Sequence, residues 1–442
     1  MRFSKAVAYC VCIGALTGCG AKEPSANDFN VILISIDTLR PDHLGCYGYE
    51  RPTSPAIDSF REEAVLFERA ISHAPSTLHS HASILSSLLP FHHQASWDAR
   101  TRMPDEVVSI AEVLRQSGYA TAAITGGGQM DKLFGLDQGF SSYDHTGSQS
   151  FADTAARAAA WLDAKRQSED TTPFFLFLHS YETHHPYSPE AKYLDLFDEP
   201  NYDGPIPDSI QVDLLREINQ KDREIDQADL DHIVATYDAE IRSMDDGFAS
   251  LVSYLRNAGM YDDSLIVFTS DHGEEFGEHG RVGWHSHSLF DELLHVPLIV
   301  KYPDGHFAGS TVEGQTRSID IAPTIAAVVG VEVPPAFLGI DLTELASGSS
   351  SDLPAVSRMD RKATRDIASV RTPSWKLYRG RLFDLEADPT EQWDTAMNHP
   401  KRIAELRAVL DTAIKARPRM TAPQVAPTGK TLDDLKALGY LQ

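Results

Sequence analysis

Cysteine is almost missing from this 442-residue sequence; it occurs only at positions 10, 12, 19 and 46. The first three cluster at the N-terminus, so Cys46 stands alone in the rest of the chain. That excludes an internal disulfide there, and any cysteine-based zinc site. Positive charge is also scarce: 39 Lys and Arg face 64 Asp and Glu, a net charge of -25. Such a balance excludes nucleic acid, and anionic membrane surfaces, as partners held by bulk electrostatics. An anionic substrate would need a local positive centre, such as a metal ion, to overcome the field. No apolar run is long enough for a permanent membrane-spanning helix, and no internal repeat is visible. What remains is ordinary for a globular protein, 42% hydrophobic and 23% charged, with length for one large core and one small.

The N-terminus reads as a targeting segment and not as fold. "MRFSK" is basic, "AVAYCVCIGALTG" is short and apolar, and Leu16-Thr17-Gly18-Cys19 resembles a bacterial lipobox. The expectation is a lipoprotein signal peptide over 1–18, acylation of Cys19 and a polar tether over 19–29. Loss of 1–18 removes Arg2 and Lys5 and takes the charge from -25 to -27. The protein is then expected in the bacterial cell envelope, exported and lipid-anchored. Gly20 after the cysteine favours the outer membrane or periplasmic side.

Beyond the tether, "NVILISID" (30–37) is a continuous apolar run ending in a polar residue, as a strand buried on both faces requires. "ATAAIT", "FFLFLHS", "SLIVFTSD" and "VPLIVKYP" repeat the pattern. Helical periodicity lies between them, most clearly in Ile233, Tyr237, Ile241, Met244, Phe248, Leu251 and Leu255, stopping at Gly259. Alternating strands and helices predict an α/β fold, a large mixed, mostly parallel sheet sandwiched by helices. The larger predicted domain covers 30–345, with an acidic surface insertion at 196–228 near the carboxyl ends of the strands, where such sheets place their sites. A loop-like stretch over 341–360 marks the boundary to a smaller α+β subdomain and tail, 346–442.

Polar residues appear where the apolar runs stop: Asp37, His179, and the pair Asp271-His272. A carboxylate at the end of a buried strand is costly unless it is paired or binds a metal. Oxygen ligands with one imidazole suit Zn, Mn, Ca or Mg, and the sequence alone does not choose.

With these residues in view, the chain resembles the sulfatase family of the alkaline phosphatase superfamily. The motifs that carry the resemblance include "NVILISIDTLRPDHLGCYGYERPTSP", "HASILSSLLPFHH", "FLHSYETHHPYSP", "FTSDHGEEFGEHG", "LFDELLHVPLIV", "RLFDLEADPTEQ" and the terminal "LDDLKALGYL". The resemblance implies a hydrolase of anionic sulfo- or phospho-esters that uses a divalent metal ion. It also implies a smaller C-terminal sheet domain. Asp37, Asp271 and His272 match metal ligands of the family, and His272 stands where many sulfatases have asparagine. Thr38 replaces the family's second N-terminal aspartate. His184 matches the histidine that contacts the anionic group, and His285 matches another site histidine. Ser286 stands where many sulfatases carry a lysine. His185 and His287 are expected to be outer or surface residues.

In the same register Thr77 takes the position of the cysteine or serine that becomes formylglycine, with His79 and His81 in place of the proline and arginine that conversion needs. Threonine cannot yield the aldehyde, so no formylglycine is expected. Thr77 is the candidate nucleophile and a further candidate metal ligand. It sits at a helix N-terminus, whose N–H groups and dipole favour an anion. His81, one turn on, is expected to orient Thr77 or touch substrate oxygens. His184 and His285 are candidates for leaving-group acid and for base. The favoured reading is hydrolysis of a phosphate mono- or diester or a phosphonate ester. The alternatives are a sulfate-ester hydrolase working without formylglycine, an envelope phosphotransferase, and a catalytically silent glycan-binding lipoprotein. The sequence does not indicate an oligomeric state.

Overall fold

The computed structural model describes residues 29–147, 149–199, 202–349, 353–360 and 367–441. The expected signal peptide and Cys19 lie outside them. Among the described residues no helix is long and apolar enough to cross a membrane.

The main sheet is built from β1 (Asn30–Ile36), β2 (Val65–Ile71), β3 (Ala120–Ile124), β4 (Ser142–Asp144), β5 (Phe174–Ser180) and β6 (Ser264–Ser270). A short hairpin follows, β7 (Glu275–Phe276) and β8 (Val282–Trp284), before the last two sheet strands, β9 (His295–Lys301) and β10 (Thr311–Arg317). The order across the sheet is β10-β2-β9-β6-β1-β5-β3-β4, and β9 alone runs against the others. This is the mixed, mostly parallel sheet expected from the alternating pattern. β1 lies in its interior: Val31 and Leu33 enter one apolar core, Ile32, Ile34 and Ile36 the other. A strand buried on both faces needs apolar residues at every position, which is why its sequence does not alternate.

β2 and β10 were not among the expected strands. β2 carries Glu68 and Arg69 in its middle, where its pairing with β9 shifts register, and that breaks the apolar run. The insertion at 196–228 contains a helix, Val212–Gln220, whose Leu215 and Ile218 are buried in the second core. Three-to-four spacing of few apolar residues suffices there, because only one narrow face is covered. The stretch expected to be loop-like, 341–360, holds a helical turn at Thr343–Ala346 and the strand β11 (Ala355–Met359). β11 starts a four-stranded antiparallel sheet with β12 (Ile367–Arg371), β13 (Trp375–Tyr378) and β14 (Arg381–Asp384). The Pro400–Lys415 helix packs on this smaller sheet through Leu406.

Candidate active site

Register positions the first half of the site. Ile36 of β1 is level with Ser180 of β5 and Ser270 of β6. Three parallel strands therefore end in step, and Asp37 emerges beside Asp271-His272 at the carboxyl edge of the sheet, where such folds place their sites. The Asp37 N–H donates to the Ser180 carbonyl (3.0 Å), which fixes the carboxylate at the strand end. The next residue, Thr38, is β-branched yet has φ 57°. A non-glycine residue there costs on the order of 1–3 kcal/mol. Its surroundings hold it: Thr38 Oγ1 donates to the Thr183 carbonyl (2.7 Å) and Tyr237 donates to the Thr38 carbonyl (2.8 Å). The Thr38 hydroxyl is thus engaged by Thr183.

The second half is the Thr77–Ser86 helix, all ten residues of which are buried. It follows β2 through a turn tied down by serines: Ser80 Oγ donates to the Ala74 carbonyl (2.8 Å), and Ser286 Oγ reaches the Pro75 carbonyl (3.0 Å). His81 pins the helix to the sheet. Its Nδ1 meets the Thr77 carbonyl (2.8 Å) and its Nε2 meets Ser35 Oγ (2.9 Å), so both ring nitrogens are engaged. His81 thus lies against the backbone of Thr77 and the hydroxyl of Ser35. One of the helix-terminal donors expected to be open, the Leu78 N–H, is taken by Gln129 Oε1 (3.0 Å).

Thr77 Oγ1 donates to Asp37 Oδ2 (3.1 Å). Asp37, Asp271 and His272 each offer a ligand atom, and these atoms lie within 4.8 Å of one another. All three residues are fully buried. Asp37 Oδ1, Asp271 Oδ2 and His272 Nε2 have no hydrogen-bond partner. Buried orphans of this kind are rare in folded proteins, and three converging on one point ask for a cation. The His272 tautomer agrees: Nδ1 faces the Gly273 carbonyl (2.9 Å), which leaves the Nε2 lone pair for the cluster. Burial pushes Asp37 up to about 7 and raises Asp271 as well, where the Asp37 charge adds to the effect. Burial works against the His272 imidazolium, but Asp271 and Asp37 hold it above its ordinary value. Without a cation the site resists its own charges; a divalent ion would relieve both carboxylates. The residues present therefore fit a metal. His179 adds a contact from β5, its Nε2 3.3 Å from Asp37 Oδ2.

A wall of histidines faces Thr77. His184 and His285 are 4.8 Å apart between ring centroids, and His272 and His285 4.7 Å. His185, expected further out, is 4% exposed and stacks on Trp284. Together His184, His185 and His285 form a second group whose ring nitrogens converge. His287 lies beside them on Glu275 (2.6 Å). Burial pushes His285 down to about 4, against the pull of Glu274. His184 is driven well below its ordinary value by burial, then by His185 and His285.

Two residues of the site escaped the sequence reading. Glu274 is fully buried, accepts from His285 Nδ1 (2.9 Å) and from Tyr187 (3.1 Å), and lies 3.6 Å from His185 Nδ1. Burial opposes its charge, but His285 and His185 hold its carboxyl well below the usual range. It stands in "DHGEE", where two adjacent glutamates gave no means of choosing between them. Tyr440 comes from the opposite end of the chain, with its hydroxyl 3.1 Å from Thr77 Oγ1 and 3.0 Å from His184 Nε2. The terminal "LDDLKALGYL" was visible as a motif, but not as part of a site.

Comparison with known proteins decides the family. The sulfatase family model matches residues 29–331, and a model for the C-terminal part of N-sulphoglucosamine sulphohydrolase matches 277–417. The chain belongs to the sulfatase family. It is 23% identical over 434 residues to the choline-sulfatase of Rhizobium meliloti (strain 1021), covering 84% of this chain and 82% of that one. It is 32% identical over 220 residues to the multifunctional alkaline phosphatase superfamily protein PehA of Trinickia caryophylli, 44% of this chain and 41% of that protein. Among solved structures, the phosphonate monoester hydrolase of Agrobacterium radiobacter superposes with a TM-score of 0.71 at 21% identity, covering 88% and 95% of the two chains. A structure holding its substrate D-glucosamine-2-N,6-O-disulfate gives 0.71 at 19% identity, covering 90% and 99%. The fold is shared with both, and the chain is a sulfatase-family hydrolase.

Proposed function

We propose that this sulfatase-family protein hydrolyses a phosphate mono- or diester, or a phosphonate ester, with Thr77 as nucleophile and a divalent metal ion as cofactor. The observation that carries the reading is the Thr77 hydroxyl, 3.1 Å from Asp37 Oδ2 at the edge of the Asp37, Asp271 and His272 donor set, each of which keeps one buried atom without a hydrogen bond. Asp37, Asp271 and His272 would hold the ion, with Thr77 adjoining. When bound it would lower the pKa of the nucleophile and polarise the ester.

The side chain at position 77 sets the order of events. Thr77 Oγ1 attacks phosphorus, the Oγ1–P bond forms, and the P–O bond to the leaving group breaks with the leaving oxygen keeping the electron pair. A threonine ester cannot expel its group by elimination from carbon, as a formylglycine hydrate can, so water must attack phosphorus again. Glu274 holds the His285 Nδ1–H, which leaves Nε2 as the base that takes a proton from that water. Burial of His285 keeps the ring neutral and able to do so.

The phosphonate monoester hydrolase of Agrobacterium radiobacter shares the fold and supports phosphorus as the target. The choline-sulfatase of Rhizobium meliloti supports a second reading, a sulfate ester hydrolysed without formylglycine. We further propose that the mature protein is tethered to the cell envelope through an acylated Cys19.

One assay tests the reaction. The protein is offered aryl phosphate, bis-aryl phosphate, aryl phosphonate and aryl sulfate with Zn, Mn, Ca or Mg, beside Thr77→Ala. Turnover of a phosphorus ester that the variant loses is expected; turnover of sulfate alone overturns the reading. Cys19→Ala should release the protein from membranes, and unchanged membrane association would remove the anchor.

A further inference from the structure

Residues 416–428 form no regular element, yet they are fastened to the main domain. The Met420 N–H donates to the His92 carbonyl (2.9 Å), the Arg102 N–H to Pro423 (3.0 Å) and the Val425 N–H to Arg100 (2.8 Å). The helix that follows, Gly429–Ala437, buries Leu435 in the main core, and Leu438 just after it joins the same core. Gly439 then turns the chain at φ 80°, where an added Cβ would lie 2.7 Å from Val212 Cγ1 and 3.4 Å from His185 Nε2. Only glycine fits between the insertion helix and the histidine wall, and the turn swings Tyr440 inward. Its ring packs near Trp97 and His184, with centroids at 5.9 and 5.6 Å.

The hydrogen-bond directions around that phenol follow from the donor inventory. His184 Nδ1 lies against the His185 carbonyl, which can only accept, so Nδ1 carries the hydrogen and Nε2 is a lone pair. The Tyr440 O–H therefore donates to His184 Nε2 (3.0 Å), and the phenol oxygen keeps its lone pairs for Thr77 Oγ1 (3.1 Å), a second acceptor for the Thr77 hydroxyl beside Asp37 Oδ2 (3.1 Å). Thr77, Tyr440 and His184 form a continuous chain from nucleophile to neutral imidazole.

We propose that Tyr440 is a catalytic residue that carries the proton of the Thr77 hydroxyl to His184; this rests on the reading of Thr77 as nucleophile. As the Oγ1–P bond forms, the Thr77 proton passes to the phenol oxygen and the phenol proton passes to His184 Nε2. The P–O bond of the ester breaks and the leaving oxygen keeps the electron pair. In the second step water attacks phosphorus and gives a proton to His285. The Oγ1–P bond breaks, and the His184 imidazolium returns its proton through Tyr440 to Oγ1. His285 then yields its proton to solvent, where the departed oxygen takes one up.

The test compares the metal-loaded wild type with Tyr440→Phe, His184→Ala, the double variant and Thr77→Ala on the phosphorus ester turned over best. Phenylalanine keeps the ring packing, so the fold is expected to survive, with an unchanged melting temperature. Tyr440→Phe and His184→Ala should each lower kcat by ~100-fold or more, the range of a lost proton-transfer group, with little change in KM. The double variant should be no slower than either single, because the two act as one unit. A proton inventory in mixed H2O and D2O should curve for the wild type and become linear for Tyr440→Phe. Metal content should be unchanged in His184→Ala. The relay is overturned if Tyr440→Phe stays near wild-type rate while Thr77→Ala is dead, if the two losses multiply, or if His184→Ala loses a metal equivalent. Turnover that survives in Thr77→Ala overturns the nucleophile instead.

Discussion

Removing the metal should make the protein less stable, and more so as the pH rises. The Asp37 carboxyl is fully buried and pushed up from 3.8 to about 7 without a cation. A folded-state pKa above the unfolded one means that stability is complete below pH ~4 and is lost as pH rises towards ~7. Between pH 5 and pH 8 the loss from this one group is roughly 3 kcal/mol, from 1.36 kcal/mol per pKa unit. With the unfolding entropy of a chain this long, that lowers the melting temperature by about 3 °C. Asp245 and Glu240 are also raised by burial, to about 7 and about 8, and slope in the same direction with or without metal. Asp37→Asn separates them. Calorimetry of chelated protein should show the acid-to-neutral fall, and the metal-free asparagine variant should show less of it. Saturating metal should restore more stability at pH 8 than at pH 5, since the ligands must be deprotonated to bind. Equal pH slopes for chelated wild type and Asp37→Asn would refute the argument, as would chelation without effect at pH 8.

Three further outcomes follow from the same geometry. Thr77→Ser should retain measurable phosphorus-ester turnover and Thr77→Ala none, read as single-turnover release of the alcohol. Glu274→Gln removes the carboxylate shared by His285 and Tyr187; a fall in kcat of about 10–100-fold is expected, beside a stability loss of about 1–3 kcal/mol for a disturbed buried network. His81→Ala should unseat the helix from Ser35, costing on the order of 2–4 kcal/mol in denaturant unfolding through the cavity and the lost bonds.

The legibility of the site varied with the kind of evidence each residue leaves in one dimension. Asp37 and Asp271-His272 were readable because each ends an apolar run, and a polar residue at such a point must be accounted for. Glu274 was hidden by its neighbour: Glu275 accepts from His287 and the backbone of a hairpin, and only the folded loop separates the two roles. His81 looked available because helical spacing puts it on the Thr77 face. Spacing says nothing about Ser35, forty-six residues earlier, which occupies the second ring nitrogen. β2 was missed because its central charges disguise a strand that is well paired on both sides.

The sequence by itself determined the α/β class, the sheet ends that carry the carboxylates, and a threonine, neither cysteine nor serine, at position 77. These are local properties: the period of burial, the residue at a strand terminus, the chemistry of one side chain. The tertiary structure alone decided that Tyr440 meets Thr77 across 363 positions, with His184 Nε2 3.0 Å from the same hydroxyl. That contact depends on a helix docked by Leu435 and Leu438 and on a turn only Gly439 can make. No spacing rule reaches so far, because the distance between two ends of a chain is set by what packs between them.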